Sequence, residues 1–189
     1  MKKIVWILVA GIMMLGACKE KKKTEEIIAT KYVPKKPGPP IKMVSSVVAD
    51  TIGWGGTDYE VVVSRMPVDS LPMAQNEIGQ KYIDNRISLV ICRLVDGHVV
   101  FGRSFTRASF ASYLTGEYKT NSLLADMRLR EVRPSEIDFS VVVAPPDATD
   151  DEFLPLKLTV TRDGRLFVKV EDDLEMLVDT SGAEDDDGV

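Results

Sequence analysis

Apolar and polar residues alternate with period two along much of the chain. Leu123, Ala125, Met127 and Leu129 alternate with Leu124, Asp126, Arg128 and Arg130. Ile137, Phe139, Val141 and Val143 alternate with Asp138, Ser140, Val142 and Ala144. Leu154, Leu156, Leu158 and Val160 repeat the pattern, as do Leu166, Val168 and Val170. Successive side chains of a strand point to opposite faces, so each run predicts a strand with one face on a core. Further strands are expected at 41–50 and 57–65, on either side of "GWGG". Residues 87–95 are apolar on both faces, which predicts a central strand with Cys92 as a small buried hydrophobe.

Turn chemistry supports two hairpins. Asp96-Gly97 joins "ISLVICRLV" to "HVVFGRSF", and Asp163-Gly164 joins "LPLKLTVTR" to "RLFVKV". Asp-Gly suits a type I′ turn, whose positive φ angles match strand twist. One short helix is expected over "TRASFASYLTGEY", with Thr106 as its cap, Phe110, Tyr113 and Leu114 on one face, and Gly116 ending it. The fold expected is mainly β: an antiparallel β-sandwich or partly open barrel of about eight strands with one short helix. The longest connection, 66–82, either serves function or covers a sheet edge.

The N-terminus breaks the pattern. After Met1-Lys2-Lys3 comes an unbroken apolar run of 12 residues, Ile4 to Leu15. A spanning helix needs about 20 residues, so the run reads as the apolar part of a secretory signal. It ends in Leu15-Gly16-Ala17-Cys18. That sequence resembles the lipobox of bacterial lipoproteins. The resemblance implies signal-peptidase recognition through Leu15, Gly16 and Ala17, lipid attachment at Cys18, and cleavage before it. Lys19, rather than Asp, follows the cysteine. By the same resemblance this favours the outer membrane of a Gram-negative envelope, on its periplasmic face or at the cell surface.

Charge divides the chain. Residues 19–42 hold eight Lys and three Glu, a net of +5 (8 − 3), whereas residues 43–189 hold 14 Lys/Arg and 26 Asp/Glu, a net of −12 (14 − 26). An acidic body repels phosphates, so nucleic acid is not an expected partner. A basic leader beside a lipid anchor suits an anionic membrane surface. The organisation expected is a signal peptide over 1–17, a lipidated Cys18 with a charged, Pro-rich tether over 18–40, a β-rich domain over 41–180 and an acidic tail over 181–189. As polyproline II at about 3.1 Å per residue, that tether would reach roughly 70 Å from the bilayer.

Candidate chemistry is sparse. The single histidine, His98, excludes a multi-His metal site, and its place after a turn argues against a Ser-His-Asp triad. No catalytic residue, metal site or cofactor is assigned. Asp147, Asp150, Asp151 and Glu152 follow Pro145-Pro146 and read as a solvated loop, with cation binding as the alternative. Trp54, between Gly53 and Gly55, either stacks on a ligand at a hairpin tip or caps the core. Glu77, Asp84 and Arg86 flank the long connection as a possible binding edge; alternatively Asp84 or Asn85 bonds nearby backbone as a strand-starting turn.

Three stretches, "DSLPMAQNEIGQKYIDNRISL", "RSFTRASFASYL" and "FLPLKLTVTRDG", resemble an uncharacterised family of bacterial envelope lipoproteins, a domain of unknown function. The resemblance implies lipid anchoring and adds no activity. The function expected is a lipid-anchored, non-enzymatic module binding an envelope protein or a glycan. The alternatives are a structural or assembly component of an envelope complex, and a hydrolase acting on glycans through paired carboxylates.

Overall fold

The structure is a computed structural model and describes residues 37–149 and 152–171. Eleven strands lie among these residues. In chain order the first six are β1 (Ile41–Lys42), β2 (Ser46–Trp54), β3 (Thr57–Pro67), β4 (Ala74–Gln75), β5 (Lys81–Ile83) and β6 (Asn85–Arg93). Then come β7 (Val99–Phe105), a 3-10 turn (Arg107–Phe110), a short helix α1 (Gly116–Thr120), β8 (Leu123–Val132), β9 (Glu136–Ala144), β10 (Leu154–Thr161) and β11 (Leu166–Val170). Two antiparallel four-stranded sheets, ordered β2-β3-β6-β7 and β11-β10-β9-β8, share one core. The described residues thus form a mainly β sandwich and no closed barrel.

The alternating runs supply that core. Val61, Val63, Ile87, Leu89 and Ile91 of one sheet meet Ile137, Phe139, Val141, Leu156 and Leu158 of the other, and all are buried. Each such side chain contributes about 1.5–3 kcal/mol when fully removed from water. β6 is central in its sheet, as expected, but it is buried on one face only. Val90 and Cys92 point outward and are half-buried, and the Cys92 thiol donates to the Gly97 carbonyl at 3.1 Å. No layer covers the outer face of this sheet among the described residues, so the double-sided apolar pattern misleads.

Three other expectations need correction. The strand expected at 41–50 is split: β1 pairs in parallel with β5, while β2 pairs with β3. In β8 the strict alternation fails, because its pairing with β9 skips a residue between Leu124 and Asp126 and again between Leu129 and Glu131. The first bulge turns Leu124 into the core beside Met127 and leaves Ala125 half-buried. The helix expected over 106–118 is instead the 3-10 turn and α1, which begins rather than ends at Gly116, where φ is 53°. A single turn of helix is costly to nucleate. The segment is shaped by inserting Phe110 and Leu114 into the core, where Phe110 stacks on Phe105 at 5.8 Å.

The turns correct the hairpin expectation too. The type I′ turn is Gly55-Gly56, where both φ angles are positive and Trp54 pairs with Thr57. At the two Asp-Gly sites only the glycine has positive φ. Arg93 and His98 close a wider loop around Asp96-Gly97, and Thr161 pairs with Arg165 around a three-residue turn. Type I′ demands the left-handed region twice, which a glycine pair meets at no steric cost.

The chain path has a polarity. The turns β2–β3, β6–β7, β8–β9 and β10–β11 are short and lie at one end of the sandwich. The three long connections, over 68–84, 106–122 and 145–153, lie at the other. The first of these contains β4 and β5, which form with β1 a small third sheet ordered β1-β5-β4. The 66–82 stretch is therefore partly strand. Cys18, its neighbours Leu15 to Ala17, the N-terminal part of the tether and the acidic tail lie outside the described residues.

Candidate functional site

The short-turn end is closed. Trp54 is only 5% exposed: its ring packs edge-on against Tyr59 at 5.6 Å, and its Nε1 donates to the Arg133 carbonyl at 3.0 Å. The Arg162 guanidinium lies over the same ring, 5.8 Å from its centroid. Trp54 therefore caps the core and presents no ring to a ligand, because the tight Gly55-Gly56 turn folds the tip back. Nearby, Asp138 is 1% exposed on the outer side of β9. Its Oδ1 accepts from Thr159 Oγ1 at 2.6 Å, and its Oδ2 faces Arg133 and Lys157. Both oxygens are matched, as a buried carboxylate requires.

At the opposite end the three long connections are sewn together by side-chain hydrogen bonds. Asp84 ends the first connection and is 2% exposed. Its Oδ1 accepts from the backbone N–H groups of Asn85 and Leu124, both at 2.8 Å. Asn85 Nδ2 donates to the Leu124 carbonyl at 3.0 Å. Together they bracket Leu124 and join the start of β6 to the start of β8, across the two sheets. The local-turn expectation for Asp84 and Asn85 thus holds only in part, since the main partner is far along the chain. Burial raises the Asp84 pKa above the usual carboxylate value, against the lowering effect of the two N–H groups and Arg107.

Gln80 fastens the Pro-rich segment. Its Oε1 accepts from Gly38 N–H at 2.7 Å, and its Nε2 donates to the Pro39 carbonyl at 2.8 Å. Residues 38–40 therefore lie against the domain and do not belong to a free tether. Asn121 pairs twice with Gln75, accepting from its N–H at 2.7 Å and donating to its carbonyl at 2.6 Å. Asp147 accepts from Asn76 Nδ2 at 2.5 Å and from the Tyr82 hydroxyl. That hydrogen bond, with burial, pushes the Tyr82 pKa up to about 12. Asp147 has φ of 58°, and the two donors hold it in this disfavoured conformation.

These connections enclose a half-open cleft of about 640 Å³. Glu77 and Ile78 line it from the turn after β4, Glu117 and Tyr118 from α1, and Asp147 and Glu152 from the β9–β10 connection. Among the described residues, every charged side chain of the lining is acidic. Of the expected binding residues, only Glu77 reaches this cleft. Asp84 lines a separate, smaller cavity, Arg86 is exposed on β6, and Trp54 is at the closed end. Sequence reasoning missed Glu117 and Tyr118, hidden in the expected helix, and read Asp147 and Glu152 as loop. The signal available was the length of three connections alternating with four short turns. Among the described residues no group of three His, Cys, Asp or Glu side chains is placed to hold a metal ion.

Fold and site thus define a β-sandwich module whose long connections gather at one end around an acidic cleft. The chain belongs to the family described as domain of unknown function (DUF4738), whose model matches residues 27–168. No curated protein matches the chain.

Proposed function

We propose that the chain is a lipid-anchored module of the bacterial cell envelope that binds a partner through its open end and does no chemistry on it. In this reading Leu15, Gly16 and Ala17 direct cleavage and Cys18 carries the acyl chains. One chain alone binds membranes only marginally, at about 0.8 kcal/mol per buried CH₂, so several chains on one cysteine make the anchor lasting. Lys19 in place of Asp supports the outer membrane. The segment from Lys19 to Pro37 then carries the domain away from the bilayer.

The observation that carries the binding reading is the cleft, whose charged lining among the described residues is acidic: Glu77, Glu117, Asp147 and Glu152. Complementary charge steers and orients a partner. The favoured partner is a basic segment of an envelope protein, with Tyr118 and Ile78 as its apolar contacts. Two experiments test this. Metabolic palmitate labelling should vanish in Cys18→Ser, and label retained at the wild-type level refutes the anchor. Crosslinking in intact envelopes should capture a partner with the wild type and lose it with Glu117→Lys. Capture that survives Glu117→Lys but fails with Tyr118→Ala assigns the cleft to a glycan instead.

A further inference from the structure

A second cavity at the open end, of about 230 Å³, lies between the first two long connections. It differs in kind from the acidic cleft. Leu71, Pro72, Ala111 and Leu114 give it apolar walls, Asp84 and Arg107 line its polar side, and Lys119 stands exposed at its edge. Its polar groups are arranged unevenly. Asp84 Oδ1 is taken by two backbone N–H groups. Asp84 Oδ2 has no hydrogen bond among the described residues, its nearest cation being Arg107 Nε at 3.6 Å. That is too long for a hydrogen bond, so this oxygen is left without a donor where Asp84 lines the cavity. Arg107 is itself largely buried, with its Nη1 on the Lys119 carbonyl at 3.5 Å. Its Nη2 makes no hydrogen bond among the described residues.

One carboxylate oxygen that lacks a donor, beside a guanidinium with donors to spare and an ammonium, matches a ligand carrying both charges. The ligand's ammonium would donate to Asp84 Oδ2, and its carboxylate would accept from Arg107 and Lys119. The cavity is smaller than the roughly 300–1,000 Å³ typical of sites for drug-sized ligands, and its walls are apolar. We infer that this cavity binds a free α-amino acid with an apolar side chain, held between Asp84 and Arg107. The site shares no lining residue with the acidic cleft and stands independently of the function proposed for that cleft.

The test is calorimetric titration of the full chain with L-leucine, with isoamylamine, which lacks the carboxylate, and with N-acetyl-L-leucine, which lacks the ammonium. L-Leucine should bind saturably and each analogue at least tenfold more weakly. Asp84→Asn keeps an oxygen for Leu124 and Asn85 but removes the charge, and should weaken L-leucine at least tenfold with the unfolding midpoint retained. Ala111→Phe fills the cavity from an exposed position and should abolish binding without touching Asp84. It decides the matter alone if Asp84→Asn does not fold. Absence of saturable heat with L-leucine, equal affinity for the analogues, or affinity unchanged in Ala111→Phe overturns the inference.

Discussion

Asp138 and Asp84 are both buried carboxylates, and the molecule treats them differently. Asp138, near the closed end, has partners on both oxygens: Thr159 on one, Arg133 and Lys157 on the other. Asp84, at the open end, satisfies one oxygen with backbone and leaves the other facing a cavity. The same contrast runs through the surroundings. At the closed end Trp54 is covered by Tyr59 and Arg162 and bonded to Arg133, so its ring is taken up by the protein itself. At the open end the side-chain bonds tie one long connection to another and leave clefts between them. A sandwich that gathers its short turns at one end and its long connections at the other separates stability from recognition.

The contrast can be broken or sharpened by substitution. The largest effect is expected at Trp54. Trp54→Ala removes a buried ring, its edge contact and its hydrogen bond, and should cost about 3–5 kcal/mol in denaturant unfolding. A loss under about 1 kcal/mol would mean the closed end is not the stabilising one. Asp138→Asn keeps an oxygen for Thr159 but gives up the ion pairs, for an expected loss of about 1–3 kcal/mol. Gly55→Ala forces a side chain into positive φ and onto the Arg162 guanidinium, and should cost about 1–2 kcal/mol. Arg162→Ala in the same chain should recover the steric part and leave the conformational part.

Asp84→Asn should behave oppositely to Asp138→Asn, with little loss at neutral pH. The sign follows from burial, which raises the folded-state pKa of Asp84 above its unfolded value of 3.8. The contribution of the neutral carboxyl is fully present below the unfolded value and is lost as pH rises through the raised one. Over that window the stability of the wild type should fall relative to Asp84→Asn, read from unfolding midpoints at a series of pH values. A gap that stays constant with pH would show Asp84 to be as well matched as Asp138. Glu117→Lys, on exposed α1, should change stability least, within about 0.5 kcal/mol.

Much of the sandwich was legible in the amino-acid pattern, because period-two alternation reports which side chains face a core. Ile137, Phe139, Val141 and Val143 all point inward as the pattern demands. The failures have physical reasons. The bulge at Ala125 depends on how β8 meets β9, and alternation within one strand carries no record of its partner. The turn type at Asp96-Gly97 is set by where the strands stop pairing, and Arg93 with His98 closes a wider loop there. The apolar outer face of β6 looked like a second core surface, yet no layer covers it among the described residues. The candidate site was the least legible part. Asp84 meets Leu124, and Asp147 meets Asn76 and Tyr82, only because three connections converge at one end. The length of residues 66–82 pointed to that end, and the acids of α1 and the β9–β10 connection did not.

The central claim, that recognition belongs to the open end, is tested most directly by matched charge reversal. Glu117→Lys at the open end and Asp163→Lys at the closed end alter exposed acids on the same chain, and each is followed by partner crosslinking in intact envelopes. The account predicts that Glu117→Lys loses the crosslinked partner while Asp163→Lys retains it at the wild-type level. Loss with Asp163→Lys and retention with Glu117→Lys would place recognition at the closed end and contradict the account.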